Sequence, residues 1–432
     1  AGRHAKPGQW KGAAPMKLAP GTPLAANLTF GEDQAPLPVG RLAMAGGLAQ
    51  LEWSPELIAA ALPVSALLYP PEPRLHPARG REFEGLHGFL SDSLPEGWGF
   101  LVMRRRLSKL GVAIETLSPL DRLALVGDHG RGALTYRPAT APPPEVESLD
   151  LDALAAGSTA ILAGHEGELA DTLATLAGGS GGARPKVHVG FDAEGRISVF
   201  EGETAAGHEA WIVKFAATND PPDVGPIEAA YAAMAVAAGL DMAPYRLLPS
   251  KTGPGYFATR RFDRPEPGRR LHMVSLSGAV EAPWRTPASY DIFLRATLAI
   301  TRHADDLHAA FRRMVFNVLA SNRDDHTRQH SYLMDETGGW RLAPAYDLTY
   351  SAGPGGEHYL DVEGEGKNPT REQVRSLGRR HSLPDRLIDT IIDEVRAAVA
   401  DWARFAEEAG VTKASRAEIA AAHQDVAARF SA

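Results

Sequence analysis

Between residues 307 and 351 an apolar stripe runs into a charged loop and then into a hairpin, and this succession restricts the chain's possible folds more than any other feature. Leu307, Phe311, Met314, Val315, Val318 and Leu319 recur at i, i+4, i+7 and i+8, the spacing of one buried helix face. The helix should end near Ser321. There NRDDHTRQHSYL (322–333) begins, with two carboxylates, two histidines and two arginines in nine positions. HSYLM and WRLAPAY read as strands about a DETGG turn. The chain therefore doubles back at APAYDLTYS and returns Asp347 towards Asp324 and Asp325.

Three readings fit that loop. Asp324, the amide of Gln329 five residues on, and Asp347 after a hairpin are laid out as in a kinase active site. There the first aspartate accepts the substrate hydroxyl proton, while the amide and the second aspartate hold Mg²⁺. His326 and His330, four apart and flanked by Asp324 and Asp325, would suit a metal hydrolase if a helix put both rings on one face. The strand-like run into HSYL weighs against that helix. A solvated loop with incidental charges needs no chemistry at all.

The segment upstream favours the kinase layout. In AWIVKFAA, Trp211, Val213 and Phe215 alternate with Ile212 and Lys214, which is the period of a strand. PIEAAYAAMAVAAGL reads as the next helix, with Pro226 near its first turn and Gly239 at its end. Lys214 then lies mid-strand and Glu228 on the helix; a strand lysine paired with a helix glutamate is how kinases hold the α- and β-phosphates. The plainer alternative is an edge-strand lysine whose ammonium reaches water. GGSGGARPK, with four glycines in its first five residues, either lets backbone N–H groups approach anionic oxygens or is a flexible linker. It lacks the ending of a Walker A loop. GDHGRG (127–132) reads as a hairpin turn between two strands.

At 432 residues the chain calls for two or more subdomains. Residues 1–35 read as a flexible arm and 36–138 as an N-terminal subdomain of short apolar runs between prolines and glycines. Residues 139–150 read as a linker, since the consecutive prolines of ATAPPPEVES favour extended structure. Residues 151–265 carry the strands and the glycine-rich loop, and 266–432 form a mainly helical lobe, giving an α+β fold. A net charge of −8 excludes nucleic-acid binding by the electrostatics of the chain as a whole. The absence of cysteine excludes disulfides and cysteine-based zinc or nucleophile chemistry. No apolar stretch is long enough to span a bilayer, and AGRHAKPGQWKGAAP lacks the apolar segment of a secretory signal. A cytoplasmic location is the expectation.

In their order and spacing, GGARPK, RFDR, NRDDHTRQHSYLM and RLAPAYDLTYS resemble the HipA-type serine/threonine protein kinases, the toxins of bacterial type II toxin–antitoxin modules. DSLPEGWG (92–99) and VGDHGRGAL (126–134) resemble the N-terminal subdomain of that family, so the likeness runs from about residue 38 onward. The resemblance implies that Asp324 is the catalytic base, that Asp347 and Gln329 are Mg²⁺ ligands, and that Lys214 holds the phosphates with Glu228 as its partner. It places His326 and Tyr346 in the nucleotide site, Phe262 against adenine, and Gly181, Gly182 and Ala183 through Lys186 over the phosphates. A serine in or just before this loop is autophosphorylated in the family, which ejects the loop; Ser180 is the candidate, with Gly179 where that serine is often found. The chain departs from the family at Gln329, where asparagine is expected. The extra methylene moves the amide oxygen by about a bond length, and Mg²⁺ tolerates little distortion of its octahedron.

The implied function is an ATP- and Mg²⁺-dependent kinase that phosphorylates a protein serine, in this family typically on an aminoacyl-tRNA synthetase, and so stalls translation and growth. A HipB-like helix-turn-helix antitoxin is the implied partner. The pair would bind operator DNA, with the antitoxin supplying most phosphate contacts to suit the acidic chain. The alternative is a catalytically weakened kinase-fold binding module within a repressor complex, which Gln329 favours and the intact Asp324, Asp347 and Lys214 disfavour. With its N-terminal subdomain present, the chain does not look like a short kinase that borrows one from another chain.

Overall fold

Leu24, Ala26 and Leu28 point into the core from β1 (Leu24–Leu28), with half-buried residues between them. This strand pairs with β2 (Leu37–Ala45), which is followed by β3 (Leu48–Trp53), β4 (Leu75–Pro77) and β5 (Leu134–Arg137). The five form an antiparallel sheet in the order β4-β3-β2-β1-β5. β1 therefore stands inside the stretch that sequence suggests is a flexible arm, and residues 1–35 are not an arm throughout. Its alternation lasts only five residues and uses alanine twice, too weak a period to register in sequence. The β2–β3 hairpin closes through Gly46 and Gly47, with φ of 60° and 80°. A two-residue type I′ turn requires positive φ at both positions, which glycine adopts without strain.

The computed structural model describes residues 16–140, 150–165, 170–177, 181–198 and 207–430. Before GDHGRG it has a helix, Pro119–Val126, where the sequence suggests a strand. Ser118 caps this helix and Asp121 reaches back to the Ser118 N–H, with Pro119 opening the first turn. This capping box overrides the short apolar run that reads as a strand. The glycine stretch is thus a helix-to-strand connection and not a hairpin turn.

The second sheet comprises β6 (Lys186–Phe191), β7 (Ile197–Ser198), β8 (Glu209–Lys214), β9 (Tyr245–Leu248) and β10 (Tyr256–Arg260), ordered β7-β6-β8-β10-β9. Val187, Val189, Trp211, Val213 and Phe215 share one core with Trp98 and Val102 of helix Trp98–Lys109 and with Leu154, Ile161, Leu173 and Leu176 of two further helices. A helix encoded next to the N-terminal sheet therefore covers the second sheet. The remaining strands are β11 (His272–Ser275), the short parallel pair β12 (Ala288–Ser289) and β15 (Leu360–Asp361), and β13 (Ser331–Met334) with β14 (Trp340–Leu342). β11, β13 and β14 make a three-stranded antiparallel sheet. Helices 290–301, 304–319, 371–380, 385–400, 402–408 and 413–430 build the C-terminal lobe. Among the described residues no helix is long and apolar enough to cross a membrane.

Candidate active site

Lys214 ends β8, and its antiparallel partner on β6 is Lys186. Residues directly opposed in such a pair project to the same face, so two buried ammonium groups stand side by side and require anions. Lys214 Nζ donates to Glu228 Oε2 at 2.5 Å and to Asp347 Oδ1. Glu228 comes from helix Val224–Ala237 and Asp347 from the turn after β14. Burial disfavours the Lys214 charge, but Asp347 and Glu228 outweigh it and hold its pKa above the usual value. Lys186 Nζ donates to the Gly181 carbonyl at 2.6 Å, and burial pushes its pKa down to about 8. Asp347 is held well below the usual carboxylate range; burial opposes this, and Lys214 and Lys186 overcome it. Asp347 has φ 56°, an uncommon left-handed conformation for a residue with a side chain.

The loop 322–330 is anchored by Asp325 and not by Asp324. Asp325 is fully buried and accepts from Tyr290 Oη at 2.5 Å, from the Tyr359 N–H at 2.8 Å and from His358 Nδ1 at 2.8 Å. Asp324 beside it takes no part in that anchoring, with 47% of its side chain exposed. Partial burial and the carboxylates of Asp347 and Asp325 push its pKa up to about 7. Gln329 closes a 3₁₀ turn, Thr327–Gln329. Its Nε2 donates to Asp347 Oδ2 at 3.0 Å.

His326 and His330 do not converge. His326 packs on Trp284 and Tyr359, whereas His330 stacks on Phe293 at 4.0 Å between ring centroids, with the 3₁₀ turn between them. Burial pushes both down, to about 4 and about 3, so both are neutral at physiological pH. His326 Nδ1 accepts the Arg328 N–H at 3.2 Å, which leaves the ring proton on Nε2, 3.9 Å from Asp324 Oδ1. Among the described residues no group of three or more histidine or acidic side chains is placed to hold a metal ion.

Phe262 follows β10 and lies 5.4 Å, centroid to centroid, from Tyr346, whose hydroxyl donates to the Arg328 carbonyl at 2.7 Å. Gly181, Gly182 and Ala183 lead into β6, with Gly182 and Ala183 exposed. Ser180 and Gly179 lie outside the described residues. The structure thus brings together Lys214, Glu228, Asp347, Gln329, Asp324 and His326 at one point, with Lys186 and the glycine loop above it and Phe262 and Tyr346 as an aromatic pair beside it.

Sequence reasoning missed three contributors. Arg184 ties the glycine loop down by ion pairs to Asp220 and Glu228. Asp325 reads in sequence only as a neighbour of Asp324, yet it fixes the loop. DSLPEGWG reaches the site from the N-terminal region. The Trp98 N–H donates to the Gly182 carbonyl at 2.9 Å, Trp98 Nε1 donates to the Lys186 carbonyl at 3.1 Å, and Glu96 pairs with Arg328. A Cβ on Gly97, whose φ is 51°, would stand 2.3 Å from the Gly182 carbonyl oxygen, so only glycine permits this approach.

A sheet lysine shared between a helix glutamate and a loop aspartate, beneath a glycine loop, is the polar framework of a kinase fold. Residues 178–403 match the HipA-like C-terminal domain and residues 35–137 the HipA N-terminal domain. The protein named Putative kinase Y4mE of Sinorhizobium fredii is 28% identical over 378 residues, 81% of this chain and 77% of that protein. The HipA chain of the Shewanella oneidensis MR-1 HipA, HipB and operator DNA complex superposes at a TM-score of 0.65 with 18% identity, over 94% of this chain and 96% of its own. The chain belongs to the HipA family, and its α+β architecture is that of the HipA fold.

Proposed function

We propose that this HipA-family chain is an ATP- and Mg²⁺-dependent serine/threonine protein kinase acting as the toxin of a toxin–antitoxin module. The observation that carries the reading is Lys214, held between Glu228 and Asp347 with Asp324 one loop away. Lys214 and Lys186 would take the triphosphate oxygens, the N–H groups of the glycine loop would cover them, and Phe262 and Tyr346 would flank the base. Mg²⁺ suits the oxygen donors available: Asp347 is ionised and Gln329 lies against it, so these two would hold the ion. When bound, Mg²⁺ neutralises charge on the phosphoryl oxygens. The acceptor hydroxyl oxygen would attack the γ-phosphorus, its proton would pass to a carboxylate oxygen of Asp324, and ADP would leave with the bridging oxygen. An aminoacyl-tRNA synthetase is the proposed acceptor, phosphorylated on a serine so that translation stops. The Shewanella relative is found with HipB and operator DNA; by that likeness we take a HipB-like antitoxin as partner, with DNA reached through the complex.

A specific observation favours a second reading, a weakened kinase kept as a binding module. Gln329 turns Nε2, a donor, towards Asp347, and a half-turn of the amide is needed to offer Oε1 to a cation. Transfer of the γ-phosphate from labelled ATP, with Mg²⁺, by this chain and by Gln329→Asn, using a lysate and a purified synthetase as acceptors, separates the two. Labelling by both supports the kinase; labelling by the asparagine variant alone supports the binding module. Absence of both transfer and ATP binding in the two proteins refutes the assignment of the loop.

A further inference from the structure

One side chain of the glycine loop makes contacts that the phosphate chemistry does not use. Arg184 Nε donates to Asp220 Oδ2 at 2.9 Å and Nη2 to Asp220 Oδ1 at 3.0 Å, a two-pronged fit, while Nη1 reaches Glu228 Oε1 at 3.2 Å. The other oxygen of Glu228 is the one that holds Lys214. Asp220 is itself set in place: its Oδ2 accepts the Ala217 N–H at 2.8 Å, and its own N–H donates to the Ala217 carbonyl at 3.1 Å. The carboxylates that receive Arg184 are therefore fixed to the end of β8 and to helix Val224–Ala237, and Arg184 is the side chain by which the loop is joined to both, on the side away from its Trp98 contact.

The backbone on either side of Arg184 sharpens this. Gly181, Gly182 and Ala183 precede it, and Pro185, buried immediately before β6, follows. Proline disfavours helical conformations for the residue before it, so Arg184 is extended where the glycine loop passes into β6. Its side chain is largely enclosed, with 24% exposure, so the two ion pairs are shielded from solvent.

We propose that Arg184 is a positioning residue, a latch that holds the glycine loop over the phosphate site through Asp220 and Glu228 and so sets how tightly the chain takes a nucleoside triphosphate. The nucleotide part rests on the kinase reading above; the latch itself does not.

The test uses the full chain with Arg184→Ala, Asp220→Ala, their double variant and Arg184→Lys. Amide hydrogen exchange over residues 181–186 is followed without nucleotide, and KM for ATP and kcat are followed with Mg²⁺. Loss of a charge-assisted pair of this kind should raise the exchange rate of the loop and the KM for ATP by about tenfold each, with kcat reduced by less than KM rises. The double variant should be no worse than Arg184→Ala, in which the Asp220 contact is already lost, whereas Asp220→Ala alone keeps the Glu228 contact and should show the smaller effect. Arg184→Lys should recover part of the loss, because it keeps the charge without the fork. Unchanged exchange in both alanine variants overturns the latch. Should Arg184→Ala fail to fold, Asp220→Ala and Arg184→Lys carry the same comparison. Should the parent protein neither bind ATP nor transfer phosphate, the kinase reading fails, and faster exchange in the variants still supports the latch while unchanged exchange overturns it.

Discussion

Gln329 Nε2 and Asp347 Oδ2 are joined by a 3.0 Å hydrogen bond, while the other oxygen of Asp347 receives Lys214. Each oxygen of the aspartate therefore has one donor and one lone pair to spare, and on the Gln329 side the amide presents its nitrogen and not its oxygen. The lysine has Glu228 to fall back on; the glutamine must rotate. Asparagine at 329 would draw the amide back by about a bond length and free one carboxylate oxygen. Gln329→Asn is accordingly expected to lower the Mg²⁺ concentration for half-maximal phosphate transfer and to raise the rate at limiting Mg²⁺ by about tenfold. A Mg²⁺ titration of both proteins checks this; an unchanged or higher midpoint for the variant counts against Gln329 as a hindered ligand.

Lys214→Met tests the central ion cluster. The substitution keeps most of the buried stem but leaves Glu228 Oε2 and Asp347 Oδ1 without their shared cation. Arg184 still faces Glu228, and Lys186 still faces Asp347 electrostatically, so the fold should survive with reduced stability. Leaving a buried charge unpaired costs about 3 kcal/mol or more. The expected result is a lower melting temperature together with a fall of about a hundredfold in kcat/KM for ATP, read by calorimetry and steady-state kinetics.

Asp263 gives a pH prediction away from the reacting groups. It is buried and accepts from Arg261 Nη2 at 2.8 Å, Arg264 Nη1 at 3.0 Å and the Gly132 N–H at 2.8 Å, tying the connection after helix Pro119–Val126 to the strand end beside Phe262. Burial opposes its charge, but Arg261 and Arg264 prevail and hold its folded-state pKa well below the usual carboxylate value. A depressed folded pKa means that the stabilisation is complete above the unfolded pKa, about 4, and is withdrawn as the pH falls through the folded value. Arg264 is pushed down to about 9 by burial and by Arg261, with Asp263 opposing both, and it stays charged across the range tested. Denaturation of the parent and Asp263→Asn between pH 3 and pH 7 should show the variant less stable at neutrality by about 3 kcal/mol, the gap narrowing with acid. A constant gap would mean that Asp263 acts through its shape and not its charge.

Where one period dominated, the sequence was easy to read. The stripe from Leu307 to Leu319 is the helix 304–319, and Trp211, Val213 and Phe215 line the core face of β8 as their alternation requires. The DETGG turn joins β13 to β14, and this hairpin is what brings Asp347 to Gln329. Local signals were harder to interpret when short or ambiguous, as with β1 and the capped helix before GDHGRG. Contacts set by tertiary structure left no local signature. Nothing in DSLPEGWG indicates that Gly97 passes against Gly182, since the approach depends on two segments 85 residues apart. Asp325 likewise looks interchangeable with Asp324 until Tyr290 and His358 are brought to it from elsewhere in the chain.

The neighbouring pair Asp324 and Asp325 should separate activity from stability. Asp325 satisfies three donors, two of them buried, and a chain of hydrogen bonds continues from Tyr290 Oη to Asn317 and on to Asn322. Asp325→Ala strands these groups at once, with an expected loss of about 3 kcal/mol and a displaced loop. Asp324 is in the opposite position. Partial burial and two neighbouring carboxylates raise its pKa, so the folded state disfavours its negative charge instead of gaining from it. Asp324→Asn removes that charge with little change in shape, and its melting temperature should equal or exceed that of the parent. Its phosphate transfer should fall by at least about a hundredfold, since the acceptor proton loses its destination. Melting curves and transfer rates for both variants decide the matter: a destabilised Asp324→Asn, or an Asp325→Ala protein as stable as the parent, would reverse the roles assigned to the two aspartates.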